Sequence, residues 1–166
     1  MNNPLNLEQQ SFELSESEDL LGLAKSLVNG RHPGILGTVD DEGNPQLRWM
    51  SSLNFDDFPI FYSLTSPTSN KVGEIKNCPK VNWMFFNGDC SLVLNLHGQA
   101  KIIGEPAVLK QVWQKIVDMS HPYFLDQYAS KLGFVVIETT VNTIECTSPS
   151  SGLRLTWTPE ELSART

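Results

Sequence analysis

Apolar residues recur every three or four positions in two stretches of the chain, which is the spacing of amphipathic helices. The first stretch covers residues 16–29, where an S-x-x-E capping box beginning at Ser15 would open a helix and Gly30 would end it. The second stretch covers residues 105–119. The predicted apolar faces are Leu20, Leu23, Ala24, Leu27 and Val28 in the first helix, and Val108, Leu109, Val112, Trp113, Ile116 and Val117 in the second.

Elsewhere the apolar positions alternate with a period of two, which is typical of strands. Residues 34–39 and 46–54 flank the turn cluster DDEGNP, and residues 81–86 and 90–103 flank the turn NGD. Each pair of segments predicts a β-hairpin. The other predicted strands cover residues 59–64, 132–140, 143–146 and 153–157.

A short helix is predicted after residues 59–64, because Ser66 and Pro67 suit an N-cap and a first helical position. Six or seven strands, mostly in antiparallel hairpins, with two main helices indicate a mostly β (α+β) or small-barrel fold. A doubly wound sheet is disfavoured, because no alternating βαβ pattern occurs. We expect one domain over residues 15–158, an N-terminal arm over 1–14 and a C-terminal tail over 159–166.

The charge balance argues against a polyanionic partner. The chain has 12 Lys and Arg against 19 Asp and Glu, a net charge of -7, and its basic residues are scattered. Nucleic-acid binding normally requires a basic stripe, so we expect no nucleic-acid partner. Two or three local cations would still suffice for a small ligand with one phosphate.

We expect a cytoplasmic protein that does not enter a membrane. The three cysteines form no C-x-x-C pair, the first ten residues lack the features of a signal peptide, and no apolar run approaches a membrane span. His32, His97 and His121 are too dispersed for a metal motif. The chain also lacks G-x-S-x-G, G-x-G-x-x-G and Walker motifs, which disfavours serine hydrolase, common dinucleotide and NTP sites.

One group of residues has the chemistry of a monophosphate site. Arg48 follows a turn, and the hydroxyl-rich segment of residues 65–71, ending in Lys71, enters the predicted short helix. Helix N-termini supply unpaired amides, while lysine and arginine supply charge and a bidentate fork. Spacing alone favours the simpler interpretation, a capped helix with two solvated cations.

Five motifs follow one another along the chain: G-T-V at residues 37–39, G-x-P-x-x-R at 43–48, T-x-x-x-S-x-K at 65–71, N-x-P at 77–79 and G-x-A at 98–100. In this order they resemble the motifs of the pyridoxamine 5′-phosphate oxidase-like flavin-binding split barrels, and most nearly their general-stress-protein branch. The resemblance implies an antiparallel six- to seven-stranded split β-barrel with flanking helices. It also implies FMN bound at the interface of a homodimer.

Carried over by position, the resemblance assigns Arg48 and Lys71 to the FMN phosphate, with hydroxyl groups from Thr65 and Ser69. Asn70 replaces an arginine of the vitamin B6 oxidases, which predicts weak FMN binding. Val93 replaces a flavin-contacting glutamine, for which Ser91 is a candidate substitute. The cofactor residues implied are Arg48, Trp49, Met50, Ser51, Leu64, Thr65, Ser69, Asn70, Lys71, Ser91 and Trp157.

The C-terminal third departs from the B6 oxidases, because the Arg-x-His that binds their substrate is missing. Trp157 would either reach the flavin of a partner chain or cover the end of the barrel. We therefore predict a flavin-dependent oxidoreductase of the general-stress-protein type, with no catalytic residue assigned and no pyridoxamine 5′-phosphate oxidase activity. The alternatives are a non-catalytic flavin carrier, a ligand-free dimeric scaffold, or a barrel using a deazaflavin or a haem ligated by His97 or His121.

Overall fold

Seven antiparallel strands form one strongly curved sheet with helices on its flanks. The computed structural model describes residues 17–30, 32–120, 122–128, 133–150 and 152–164. The strands are β1 (Gly34–Val39), β2 (Pro45–Met50), β3 (Ile60–Thr65), β4 (Lys80–Phe86), β5 (Val93–Ile103), β6 (Val135–Ser148) and β7 (Leu153–Trp157). The helices are α1 (Ser17–Leu27), α2 (Asn70–Asn77), α3 (Pro106–Asp118), α4 (Pro122–Tyr128) and α5 (Pro159–Ser163).

The strand order is β2-β1-β4-β5-β6-β3, and β7 also pairs with the long strand β6. The sheet curls until its two edges approach, where Leu53 and Tyr62 exchange backbone hydrogen bonds of 2.7 and 2.8 Å in an isolated bridge. The Ser63 hydroxyl also donates to the Ser51 carbonyl at 2.6 Å. This partial closure confirms the split β-barrel, and the antiparallel pairing confirms that the sheet is not doubly wound.

The sheet bends at Gly98, where the register between β5 and β6 shifts in a β-bulge. A Cβ atom at this position would lie 2.1 Å from the Thr140 carbonyl oxygen. Only glycine allows the two backbones to approach so closely, which a barrel corner requires. The bulge explains how the 11-residue strand β5 follows the curve of the barrel.

Two apolar clusters fill the fold. Inside the barrel, Trp83 stacks on Phe85 with ring centroids 5.8 Å apart, Phe61 packs edge-on against both, and α1 covers the cluster. The indole N–H of Trp83 donates to the Thr139 hydroxyl at 3.2 Å, which satisfies its polar atom in the core. The second cluster lies beneath α3 and α4 and includes Ile116 and Phe124.

Several element boundaries differ from the prediction. The strand predicted from residue 90 begins at Val93, because Cys90 adopts φ 57° in the preceding turn. The strand predicted over 46–54 ends at Met50, before the bridge at Leu53. Residues 135–148 form one strand where two were predicted, because β5 pairs along its whole length. The sequence pattern missed α4.

Two predicted helical features also need correction. α2 begins at Asn70 with Ser69 as its N-cap, because Ser66 to Ser69 form a turn in which the Ser69 amide donates to the Ser66 carbonyl at 3.1 Å. Val117 is 42% exposed and therefore lies off the packed face of α3.

The N-terminal arm, Ser15 and His121 lie outside the described residues. Within the described part, no helix has the length and apolarity to cross a membrane.

Candidate functional site

Arg48 is held at the centre of a closed hydrogen-bonded triangle. It lies on the inward-facing side of β2, where its Nη1 donates to Thr38 Oγ1 at 2.7 Å and its Nη2 lies 2.8 Å from Glu74 Oε2. The Thr38 hydroxyl in turn donates to the same Glu74 oxygen at 2.5 Å. The side chains of Arg48 and Glu74 are only 22% and 11% exposed, so the guanidinium is fixed in one orientation.

Lys71 lies beside this triangle, in the first turn of α2. Its Nζ donates to Thr65 Oγ1 at 3.0 Å and to Ser69 Oγ at 2.6 Å. Thr65 is buried as the last residue of β3, so the ammonium is tied to the point where that strand ends. Ser69 is the N-cap of α2 but makes no side-chain cap hydrogen bond, since its hydroxyl accepts from Lys71.

The two groups of contacts share one electrostatic environment. Burial, reinforced by the nearby Arg48 charge, lowers the pKa of Lys71 below its usual 10.5, and Glu74 partly opposes this effect. We call Thr38, Arg48, Thr65, Ser69, Lys71 and Glu74 the cradle. With two cations, one carboxylate and three hydroxyls, it carries a net charge of +1 next to the N-terminus of α2. Such an arrangement suits a small anion.

The structure therefore brings together four of the residues assigned from the sequence: Arg48, Thr65, Ser69 and Lys71. Asn70 is exposed at the start of α2 and lines the groove beside the cradle. It is an uncharged side chain in a position where the resemblance would place a third cation.

The other assigned residues lie outside the cradle. Met50 packs against the apolar cluster inside the barrel, and Leu64 is buried in the second cluster beneath α3 and α4. Neither side chain is therefore available to a ligand at the cradle. Ser51 contributes its carbonyl to the Ser63 hydroxyl. Trp49 points away from the barrel interior, is 64% exposed and packs edge-on against Phe86 at 6.3 Å.

Ser91 and Trp157 are each separated from the cradle. Ser91 lies in the turn beyond the Phe86 end of β4, where it accepts from Asn87 at 2.9 Å, whereas Thr38 on β1 lies level with the opposite end of β4. Trp157 is half-buried at the end of β7 and packs against the apolar cluster inside the barrel. In a single chain it therefore covers this cluster. That Trp157 contacts a flavin bound to a partner chain stays a prediction.

Sequence reasoning missed Thr38 and Glu74 as site residues. Thr38 belongs to the G-T-V motif that carried the resemblance, so its signal was present in the sequence. Glu74 lies three residues after Lys71 on the same helix, a spacing that places both side chains on one face. The sequence gives no signal that this carboxylate pairs with Arg48, and the structure shows the contact.

The described residues contain no cluster of His, Cys, Asp or Glu able to hold a metal ion. His32 and His97 are both exposed, and the cysteines are free. Burial raises the pKa of the Cys146 thiol to about 11, which makes it a poor nucleophile near neutral pH.

A family model described as pyridoxamine 5′-phosphate oxidase matches residues 22–148. The fold is similar to a Clostridium acetobutylicum protein related to general stress protein 26, with 19% identity, coverage of 87% of this chain and 98% of that chain, and a TM-score of 0.69. It is also similar to a heme binding protein from Mycobacterium smegmatis (15% identity, 90% and 60% covered, TM-score 0.68). An F420 reductase matches with 21% identity, 72% and 94% coverage and a TM-score of 0.54.

A search of curated proteins finds no match. At the identities of the structural matches, the likeness shows the fold alone. The match of the family model covers most of the chain and includes every residue of the cradle.

Proposed function

The chain belongs to the pyridoxamine 5′-phosphate oxidase family, and we propose that it is an FMN-binding, flavin-dependent oxidoreductase of the general-stress-protein type. The observation that carries the proposal is the cradle, in which the Arg48 and Lys71 charges interact and each cation is hydrogen-bonded to hydroxyl groups. FMN ends in a phosphate monoester, which carries nearly two negative charges at neutral pH. The cradle supplies positive charge and hydrogen-bond donors for this group.

The residues present fit the phosphate by their chemistry. The guanidinium of Arg48 can donate two parallel hydrogen bonds, and the Lys71 ammonium supplies a point charge. The first amides of α2 have no partners within the helix and add a positive dipole end. Thr65 and Ser69 already hold the ammonium and would turn their hydroxyls toward an oxyanion.

When bound, the flavin would supply the hydride or electron chemistry. The chain's own residues would bind the phosphate and orient the ring system along the backbone of Trp49, Met50 and Ser51. Turnover of pyridoxamine 5′-phosphate is not expected, since the Arg-x-His that binds it in the B6 oxidases is missing. A cytoplasmic location remains part of the proposal.

The proposal is tested by the absorbance spectrum of the purified chain and by titration with FMN. We expect flavin bands in the visible region, or a saturable one-to-one FMN complex if the cofactor is lost on purification. A Soret band would favour the haem alternative instead. A colourless chain that binds neither FMN nor a deazaflavin would favour the ligand-free scaffold.

Replacing Glu74 by glutamine should tighten FMN binding by about three- to tenfold. The carboxylate lies 2.8 Å from Arg48, so it competes with the phosphate for the guanidinium and repels the incoming dianion. Glutamine keeps an oxygen that can accept from Thr38 and Arg48. FMN titrations of the native and Glu74→Gln chains at equal ionic strength provide the measurement, and weaker binding by the variant would contradict this reading.

FMN affinity should be highest in an intermediate pH range. Below about pH 6 the phosphate gains a proton and loses charge. On the alkaline side, Lys71 loses its proton at a lower pH than an ordinary lysine, because burial and Arg48 lower its pKa. The affinity should therefore fall before pH 10.5 is reached. A Lys71→Arg chain should keep its affinity there, since arginine stays protonated; the same alkaline loss in both chains would contradict the assignment.

The proposal includes a homodimer, which two exposed apolar side chains support. Leu47 and Trp49 alternate along β2, the edge strand of the sheet, and are 74% and 64% exposed. Ile35 and Met84 continue the same face on β1 and β4, level with Trp49. An edge strand with such a surface requires a cover, and a two-fold axis would bury it in both copies at once.

A further inference from the structure

A groove of about 590 Å³ runs along one side of the cradle. It lies between the β1–β2 turn, which contributes Asp40, Asp41 and Glu42, and the start of α2. Ser69 and Glu74 line the groove and also belong to the cradle. The groove therefore adjoins the cradle through these two residues.

The groove is acidic. Four of its lining residues carry carboxylates, namely Asp40, Asp41, Glu42 and Glu74, and no lysine or arginine lines it within the described residues. Hydrogen bonds from Asn44 and Gln46 lower the pKa of Asp40, which keeps it ionised. Asp41 accepts from the Asn77 side chain at 2.7 Å, which fixes a second carboxylate at the groove.

We infer that this groove makes the site selective for ligands that end in a single phosphate monoester, against ligands whose chain continues into a second anionic group. The inference rests on the proposed function, because it concerns the same cradle. A monoester stops at Arg48 and Lys71. The second phosphate of a dinucleotide such as FAD, or an anionic tail on a deazaflavin, would be directed toward the carboxylates.

The exclusion acts through charge rather than size. The groove's volume is within the range of about 300–1,000 Å³ found for small-molecule pockets, so it has room for further ligand atoms. Like charges repel appreciably within a Debye length, which is about 10 Å at 0.1 M salt and about 3 Å at 1 M. Selectivity that arises from charge must therefore weaken as salt is added, whereas selectivity from shape would remain.

The test compares FMN and FAD binding to the full chain by equilibrium dialysis. At low salt we expect FAD to bind at least about tenfold more weakly than FMN, and this ratio should shrink several-fold in 1 M salt. The variant Asp41→Asn/Glu42→Gln should tighten FAD binding by about three- to tenfold and change FMN binding less than about twofold. Both replacements retain oxygen acceptors for Asn77 and Asn44.

A matched control is Asp118→Asn/Glu160→Gln, which removes two exposed carboxylates on α3 and α5, outside the groove. It should leave the ratio of FMN to FAD affinity unchanged. Equal affinity for the two flavins in the native chain would overturn the selectivity and leave the proposed function standing. The selectivity by charge would also be overturned if neither salt nor the groove variant changed the ratio of FMN to FAD affinity. Failure of both flavins to bind would overturn the inference together with the proposed function.

Discussion

Replacing both Arg48 and Lys71 by alanine should abolish measurable FMN binding and leave the fold intact. Each charged side chain contributes about 1.5–3 kcal/mol through charge-assisted hydrogen bonds, so their joint loss should weaken binding by roughly 10²- to 10⁴-fold. The fold should survive because neither side chain belongs to an apolar cluster. FMN titration measures the affinity, and circular dichroism with thermal melting checks the fold.

The matched control is Lys76→Ala/Lys110→Ala. It removes two positive charges from exposed positions on α2 and α3, away from the cradle contacts. The control should bind FMN nearly as well as the native chain, with a small loss that salt abolishes. Unchanged FMN affinity in the Arg48→Ala/Lys71→Ala variant would show that the cradle is not the phosphate site. Equal losses of FMN affinity in this variant and in the control would show that the effect comes from net charge alone.

The second large effect concerns assembly: Leu47→Asp/Trp49→Glu should convert the chain from dimer to monomer. Each buried apolar side chain stabilises an interface by about 1.5–3 kcal/mol. In a two-fold dimer each substitution is present in both copies, so its cost occurs twice. The two substitutions together should therefore cost at least about 6 kcal/mol. Sedimentation velocity at micromolar concentration should show about twice 18.5 kDa for the native chain and 18.5 kDa for the variant.

Val117→Asp/Met119→Asp is the matched control, because these are the other large apolar side chains exposed among the described residues, at 42% and 46%. This variant should remain dimeric. The single change Leu47→Asp separates assembly from ligand contact, since Leu47 is assigned no role toward FMN. It should weaken the dimer and FMN binding together if the site needs both copies. A native chain that sediments as a monomer with FMN bound would contradict the dimer-dependent site.

Local pattern alone predicted most of the sheet. The predicted bounds of β1 and β7 agree with the structure, because alternation and turn residues act over only a few positions. The prediction was wrong where a distant partner decided the outcome. β6 continues through Val141 and Asn142 because β5 pairs with it on both sides of the bulge at Gly98, which no local signal in residues 140–143 reveals.

Local periodicity and turn residues predicted the antiparallel sheet and the helical faces, and the hydroxyl-rich segment with its lysine is visible in the sequence. Thr38 meets Arg48 across the predicted β1–β2 hairpin. Tertiary structure decided the contact of Arg48 with Glu74, which lies 26 residues away and meets it only when α2 packs against β1. It also decided that the β1–β2 turn faces the start of α2, which creates the acidic groove. The physical reason is range: backbone periodicity and capping are set by neighbours within about four residues, whereas the charge pairs of a site depend on the curvature of the whole sheet.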